Sequence, residues 1–324
     1  MTPRNEPLAP TRPRPNNGEM NDSIAYLNGR FVPAASAAIS VADAGFVLGA
    51  TVAEQVRTFA GRLFRLDEHL ARLERGLAIV GVEPGIDRRR FAEIAGELVA
   101  HNHPLLAQGD DLGLSIVVTP GPYPSFSGAP SAGPTVCLHS YPLPFGAWAQ
   151  KYRTGQSLRI ASIEQVPNTC WPADLKCRSR MHYYLADREA NRREPGARAV
   201  LLDRGGRVTE CATANILVYR ASEGLASAPP GTVLPGISQA VVIGLAAELG
   251  IPTHERRVTP AELAAADEVL LTSTPWCLLA ATRCEGQPIG EGVPGPLFRR
   301  LLAAWNRVAG LDVAVHAERF AARA

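Results

Sequence analysis

Lys176 has more chemistry to offer than any other residue in this chain. Of 33 basic residues only two are lysines, Lys151 and Lys176. Arginine supplies fixed positive charge everywhere else. A primary amine is a different tool: once its pKa is depressed it can lose a proton, attack a carbonyl carbon and form a Schiff base. Lys176 follows a Pro-containing turn, Asn168-Thr169-Cys170-Trp171-Pro172, and precedes a helical stretch over residues 181–193. A reactive group at such a junction can face a cleft. Rarity alone would leave it a solvated surface lysine.

Three further segments change that reading. The first is Val208-Thr209-Glu210-Cys211-Ala212-Thr213-Ala214-Asn215-Ile216. Glu210 stands between an expected strand and a run of small residues, where a carboxylate could hold a ring nitrogen protonated. The second is Leu234-Pro235-Gly236-Ile237-Ser238-Gln239, directly before a helix. The Ile237 and Ser238 amides and the Ser238 hydroxyl then sit where a helix N-terminus binds anions. The third is Thr272-Ser273-Thr274, three hydroxyls at a strand end. Alone, these segments read as a solvated hairpin glutamate, an ordinary N-cap and a polar turn. Together with Arg72 as a counter-charge they fit pyridoxal phosphate. That cofactor needs a lysine, an acid at the pyridine nitrogen and a cradle for its phosphate.

The elements that must position these groups are legible in part. Residues 1–22 are rich in Pro, Asn, Arg and Thr and read as a disordered tail. Asn28-Gly29 marks a hairpin near the start of the ordered chain, and Ala60-Gly61 a second one. Leu66, Leu70, Leu73, Leu77 and Val80 form one helical stripe, capped by Asp67 and ended by Gly81. Arg72 falls off that stripe. A second helix follows, with Phe91, Ile94 and Leu98 on one face. Strands are expected over 114–119 and 135–139, with a Gly/Pro/Ser flap over 120–134 between them. Further strands are expected over 158–163, 199–203, 207–211, 215–219 and 269–272. Thr259-Pro260-Ala261-Glu262 is a capping box, and 297–308 is a closing amphipathic helix. Hairpin-linked strands mixed with helices predict α/β (α+β) domains rather than a doubly wound parallel sheet. Their expected extents are 23–145 and 156–324, with a linker over 146–155.

Composition limits the function classes. With 324 residues, 46% of them hydrophobic, the chain can bury one large or two medium cores. A net charge of +2 gives no general field for nucleic acid or membrane. The six cysteines form no CxxC pair, no metal-ligand pattern stands out, and no apolar run spans a bilayer. Reduced thiols in a cytoplasm are the expectation.

The chain resembles the class IV aminotransferases, the fold-type IV pyridoxal-phosphate enzymes. This family includes branched-chain and D-amino-acid aminotransferases and aminodeoxychorismate lyase. The resemblance is carried by Asn28-Gly29, by Phe64-Arg65-Leu66-Asp67-Glu68-His69-Leu70-Ala71-Arg72-Leu73, by Leu175-Lys176 and by Val208-Thr209-Glu210…Asn215. It continues in Leu234-Pro235-Gly236-Ile237-Ser238, Ala266-Asp267-Glu268-Val269 and Thr272-Ser273-Thr274. It implies two α/β domains with the cofactor at their interface, the C-terminal one binding most of it, and a homodimer. It makes Lys176 the Schiff-base lysine and Glu210 the partner of the pyridine nitrogen. Arg72, Ile237, Ser238 and Thr274 become the phosphate contacts. The favoured reaction is transfer of an amino group between an amino acid and a 2-oxo acid. A lyase of the aminodeoxychorismate type is the alternative. A catalytically lost cofactor-binding module is a rival from another class.

The substrate half departs from the subfamilies. Leu48-Gly49 replaces a tyrosine before glycine, and Ser115 replaces an arginine on the strand before the flap. Pro120-Gly121-Pro122-Tyr123 supplies no basic pair. Pro275-Trp276 follows the threonine, and Pro275 has no amide to donate. Arg57, Arg178 and Arg180 are the candidates to anchor a substrate carboxylate instead.

Overall fold

The computed structural model describes residues 22–127 and 133–323. All but one residue of the expected tail, and residues 128–132 of the flap, lie outside these. Asn28 and Gly29 both take positive φ, 47° and 93°. They close a hairpin between β1 (Ile24–Leu27) and β2 (Arg30–Pro33). Ala60 and Gly61 do the same between β3 (Val52–Phe59) and β4 (Arg62–Leu63). With β5 (Leu112–Thr119) and β6 (Thr135–Pro142) they form a six-stranded sheet in the order β2-β1-β6-β5-β3-β4. Every pairing is antiparallel.

Helices Leu66–Val80 and Arg88–Asn102 cover one face of this sheet. Leu70, Leu73 and Leu77 pack there with Phe91, Ile94 and Leu98 over Val56, Leu114 and Ile116. The first helix buries a wider arc than its apolar stripe, since His69 and Arg72 are buried too. Its N-cap is Arg65, in left-handed backbone with no side-chain hydrogen bond, so Asp67 lies inside the first turn and caps nothing. Gly81 ends it in left-handed backbone, as the sequence suggests. Strand alternation turns Gln55, Arg57 and Ser115 to the sheet's opposite face.

The second half holds nine strands. They are β7 (Gln156–Glu164), β8 (Arg198–Leu202), β9 (Val208–Cys211), β10 (Ala214–Arg220), β11 (Gly224–Ser227), β12 (Thr253–Glu255), β13 (Glu268–Ser273), β14 (Cys277–Cys284) and β15 (Gln287–Pro288). β9 pairs with both β8 and β10, which closes β10-β13-β14-β7-β8-β9 into a ring. Closure leaves those strands no free edge. β7 runs parallel to β8 and β14 while the other ring pairings are antiparallel. The sheet is therefore mixed, as the interleaved elements imply. β14 escapes a pattern reading because seven of its eight residues are buried and it shows no alternation. Leu143, Phe145, Trp148 and Tyr152, in and beside the expected linker, pack into the core of this second half.

Candidate active site

One cleft of about 150 Å³ draws on both halves of the chain. Gln55 and Arg72 come from the first half; Lys176, Arg180, Glu210, Ile237, Ser238 and Thr274 come from the second. The structure thus brings together all six residues expected to hold the cofactor, and one of the three candidate anchors.

Lys176 sits in a loop stitched to the start of β3. Its carbonyl accepts the Ala53 amide at 2.8 Å. The Arg178 amide donates to Thr51 Oγ1 at 2.7 Å, and Ser179 Oγ to the Gly49 carbonyl at 2.7 Å. Burial of the amine brings its pKa down to about 7. Glu54 opposes the fall, while Arg180, Arg72 and Arg178 add to it. Near neutral pH a large share of the amine is therefore neutral and nucleophilic.

Glu210, on β9, is buried, and burial pushes its carboxyl pKa up. Two side chains oppose this, both on the same oxygen. Tyr183 donates its hydroxyl to Oε1 at 2.6 Å, and Gln165 donates Nε2 to Oε1 at 2.7 Å. The Leu234 backbone amide opposes it as well.

The far end of the cleft is built for an anion. Helix Ile237–Glu248 starts at Gly236 with no side-chain cap, so its first amides have no partner within the helix. Asn215 Nδ2 holds the Leu234 carbonyl at 2.8 Å, and Arg72 Nη1 holds the Pro235 carbonyl at 2.6 Å. A side chain at position 236 would collide with Asn215 Oδ1, so only glycine lets the loop pass. Thr272 Oγ1 is buried at the cleft wall with no hydrogen-bond partner. Thr213, lining the cleft at φ 66°, holds a strained backbone that β-branched residues avoid.

Arg72 is not a lone cation. Its Nε and Nη2 pair with Glu54 Oε1 and Oε2 at 2.6 and 2.9 Å, and His69 Nδ1 meets Oε2 at 2.8 Å. Burial would raise the Glu54 carboxyl pKa, but Arg72 and His69 outweigh it and hold the group well below its ordinary range. Burial also lowers the His69 pKa, so its ring is neutral and Nδ1 carries the proton that Glu54 accepts. The sequence reading missed this triad. Its signal was a glutamate on the same strand face as Val52 and Val56, ahead of a helix with His and Arg three residues apart.

The three candidate anchors separate. Arg57 does not line the cleft. It is buried over the Phe59 ring and donates to the Pro275 carbonyl at 2.8 Å, steadying the loop that follows Thr274. Arg180 lines the cleft and spends its Nε on the Cys177 carbonyl at 3.0 Å. Arg178 crosses to the first sheet, where Nη2 donates to Ser115 Oγ at 2.9 Å. Ser115 lies opposite Gln55 on one side and His139 on the other. Among the described residues neither Arg178 nor Arg180 has a carboxylate within ion-pair distance.

The donor set fits a phosphorylated pyridine aldehyde: an amine of depressed pKa, a buried carboxylate at the cleft wall, uncapped amides beside an arginine, and an unpartnered hydroxyl.

Comparison with known proteins agrees. Residues 51–284 match the family described as amino-transferase class IV. A D-alanine aminotransferase of Bacillus licheniformis is 32% identical over 281 residues, covering 86% of this chain and 94% of that one. The branched-chain-amino-acid aminotransferase-like protein 2 of Arabidopsis thaliana is 27% identical over 92% of this chain and 52% of its own length. A solved branched-chain amino acid aminotransferase from T.th., with pyridoxamine 5'-phosphate, superposes with a TM-score of 0.79 at 25% identity, over 90% and 96% of the two chains.

Proposed function

The chain belongs to the class IV aminotransferases, and on that premise we propose how its own residues divide the work. It is a pyridoxal-phosphate-dependent aminotransferase of fold type IV, moving an amino group between an amino acid and a 2-oxo acid. When bound, the cofactor supplies the carbonyl that takes up the amino group and the ring that draws electrons from the reacting carbon.

Lys176 would hold the cofactor through its amine, and the same amine would move the proton at the substrate's α-carbon. Its depressed pKa supports this role, because a base works best with a pKa near the working pH. Glu210 keeps the ring nitrogen protonated. The Ile237 and Ser238 amides, the Ser238 and Thr274 hydroxyls and Arg72 take the phosphate. Arg180, which lines the cleft, and Arg178, which reaches Ser115 on the first sheet, together anchor the substrate carboxylate, and Arg57 positions the loop after Thr274. Ser115 stands where the branched-chain enzymes carry an arginine, and the Arg178 guanidinium reaches that very hydroxyl. The convergence of Lys176 and Glu210 in one cleft, beside an uncapped helix start, carries the reading. We further place the domain boundary just after Pro142, ahead of the 146–155 expected, and infer a cytoplasmic homodimer. No helix among the described residues is long and apolar enough to cross a membrane.

The likeness to D-alanine aminotransferases supports a D-amino acid as donor. The test mixes purified enzyme with D- and L-amino acids and with primary amines lacking a carboxylate, following the cofactor spectrum and the keto products. Reaction with D-amino acids and not with the amines is expected. Preference for the amines would remove the carboxylate anchor from the reading.

A further inference from the structure

We propose that Tyr183 and Gln165 are positioning residues that act through Glu210, setting where the proton between Glu210 and the cofactor's ring nitrogen resides. The proposal rests on the role assigned to Glu210 above. Three separate elements meet here. Gln165 follows β7 and is fixed by its own amide on the Leu202 carbonyl at 2.9 Å. Tyr183 lies in the first turn of helix Met181–Arg193, seven residues past Lys176. Glu210 comes from β9.

Buried tyrosines commonly end on whichever carbonyl is near. This one ends at 2.6 Å on a carboxylate that lines the cleft, and Gln165 joins it on the same oxygen at 2.7 Å. The Tyr183 hydroxyl is also within 3.4 Å of Gln165 Nε2, so the three groups form one cluster. Two donors on Oε1 have two effects. They stop the carboxylate from rotating, which aims Oε2 at a ring nitrogen. They also draw charge from it, which makes it a weaker base.

The second effect decides the chemistry. A carboxylate buried without donors becomes more basic. Facing a pyridinium, it would take the proton and leave the ring neutral. With Tyr183 and Gln165 in place the proton stays on the ring. Hydrogen bonds to charged groups are the stronger kind, so losing one slows a step that depends on the charged ring on the order of tenfold or more. Nothing in the sequence marks Tyr183 for this task, because it is one of two adjacent tyrosines in a helix start.

The experiment loads wild-type, Tyr183→Phe, Gln165→Leu and Glu210→Gln proteins with pyridoxal phosphate labelled with nitrogen-15 in the ring. Each sample is also reduced with borohydride and mapped, which checks the Lys176 attachment independently. The nitrogen signal should report a protonated ring in the wild type and a neutral one in Glu210→Gln. Tyr183→Phe and Gln165→Leu should fall between, shifted toward neutral, with the proton-removal half-reaction slowed on the order of tenfold or more. A ring signal unchanged in both variants overturns the proposal. So does a Tyr183→Phe protein whose only change is in the titration of the cofactor's phenolic oxygen, which would make Tyr183 a direct cofactor ligand. If Tyr183→Phe does not fold, by circular dichroism, Gln165→Leu alone decides.

Discussion

Arg178 Nη2 and Ser115 Oγ are 2.9 Å apart, although they lie on different halves of the molecule. An arginine from the loop after Lys176 thus places its charge over a strand of the first sheet. Burial, then Arg180 beside it, lowers the Arg178 pKa, but a guanidinium stays charged at any physiological pH. A charge so placed with no carboxylate partner among the described residues suits a substrate that brings one.

Arg178→Ala should therefore raise KM for amino acids on the order of 30-fold or more, with cofactor binding intact. Ser115→Ala should cost less, since it removes only the tether. Arg57→Ala should instead destabilise the protein, because its target is the Pro275 carbonyl and its ring partner is Phe59. Steady-state kinetics and thermal melts separate these outcomes. Wild-type KM in Arg178→Ala and Arg180→Ala alike would move the anchor elsewhere.

The neutral amine, not the ammonium, captures an aldehyde. With the Lys176 pKa pulled down to about 7, the rate of cofactor capture by the cofactor-free protein should climb as pH rises through 7 and then level off. An ordinary lysine would keep climbing toward its usual value near 10.5. Stopped-flow absorbance across this range gives the midpoint, and borohydride mapping should find the label on Lys176 and none on Lys151.

Glu210→Gln keeps the hydrogen-bonding shape but removes the charge. Turnover should drop by a factor on the order of 10² or more while cofactor still binds. Near-normal turnover in this variant would take Glu210 out of the mechanism.

Arg72→Ala should hurt twice. It weakens hold on the phosphate, and it strands the buried Glu54 carboxylate with no cation paired to it, only neutral His69 and the Gln55 amide. Breaking a buried pair in this way costs about 3–5 kcal/mol. Excess cofactor should restore part of the activity but not the melting temperature of the cofactor-free protein. The Glu54 pKa is depressed, so the pair's stabilisation is fully present above the ordinary carboxyl pKa of 4.5 and fades only as pH falls well below it. A titration of thermal stability down into the acid range, wild type against variant, checks the sign.

Much of this site could be read from the sequence because its markers are local. A scarce amine, a glycine before a helix and a carboxylate near a strand end each declare themselves within a few residues. Glu54 did not, because its meaning depends on Arg72 and His69 arriving from a neighbouring helix. Tyr183 and Gln165 were hidden for the same reason, since what they touch lies 27 and 45 residues further along. Local propensity also misplaced one cap. Asp67 is a good capping residue, yet the hairpin at Ala60-Gly61 brings the chain in so that Arg65 takes the cap position in left-handed backbone. The strand Cys277–Cys284 was invisible because burial on both faces erases alternation.

Arg72 grips Glu54 within the first half and the Pro235 carbonyl in the second, and the Ala53 amide grips the Lys176 carbonyl across the same seam. A phosphate seated there would be held from both sides, making the vitamin-derived cofactor part of the protein's own scaffold. Ligand present at a hundredfold excess over its dissociation constant adds about 2.7 kcal/mol to folding. Shortage of the cofactor would then do more than idle the enzyme. It would swell the share of molecules open to proteases, and enzyme abundance itself would follow the cofactor supply.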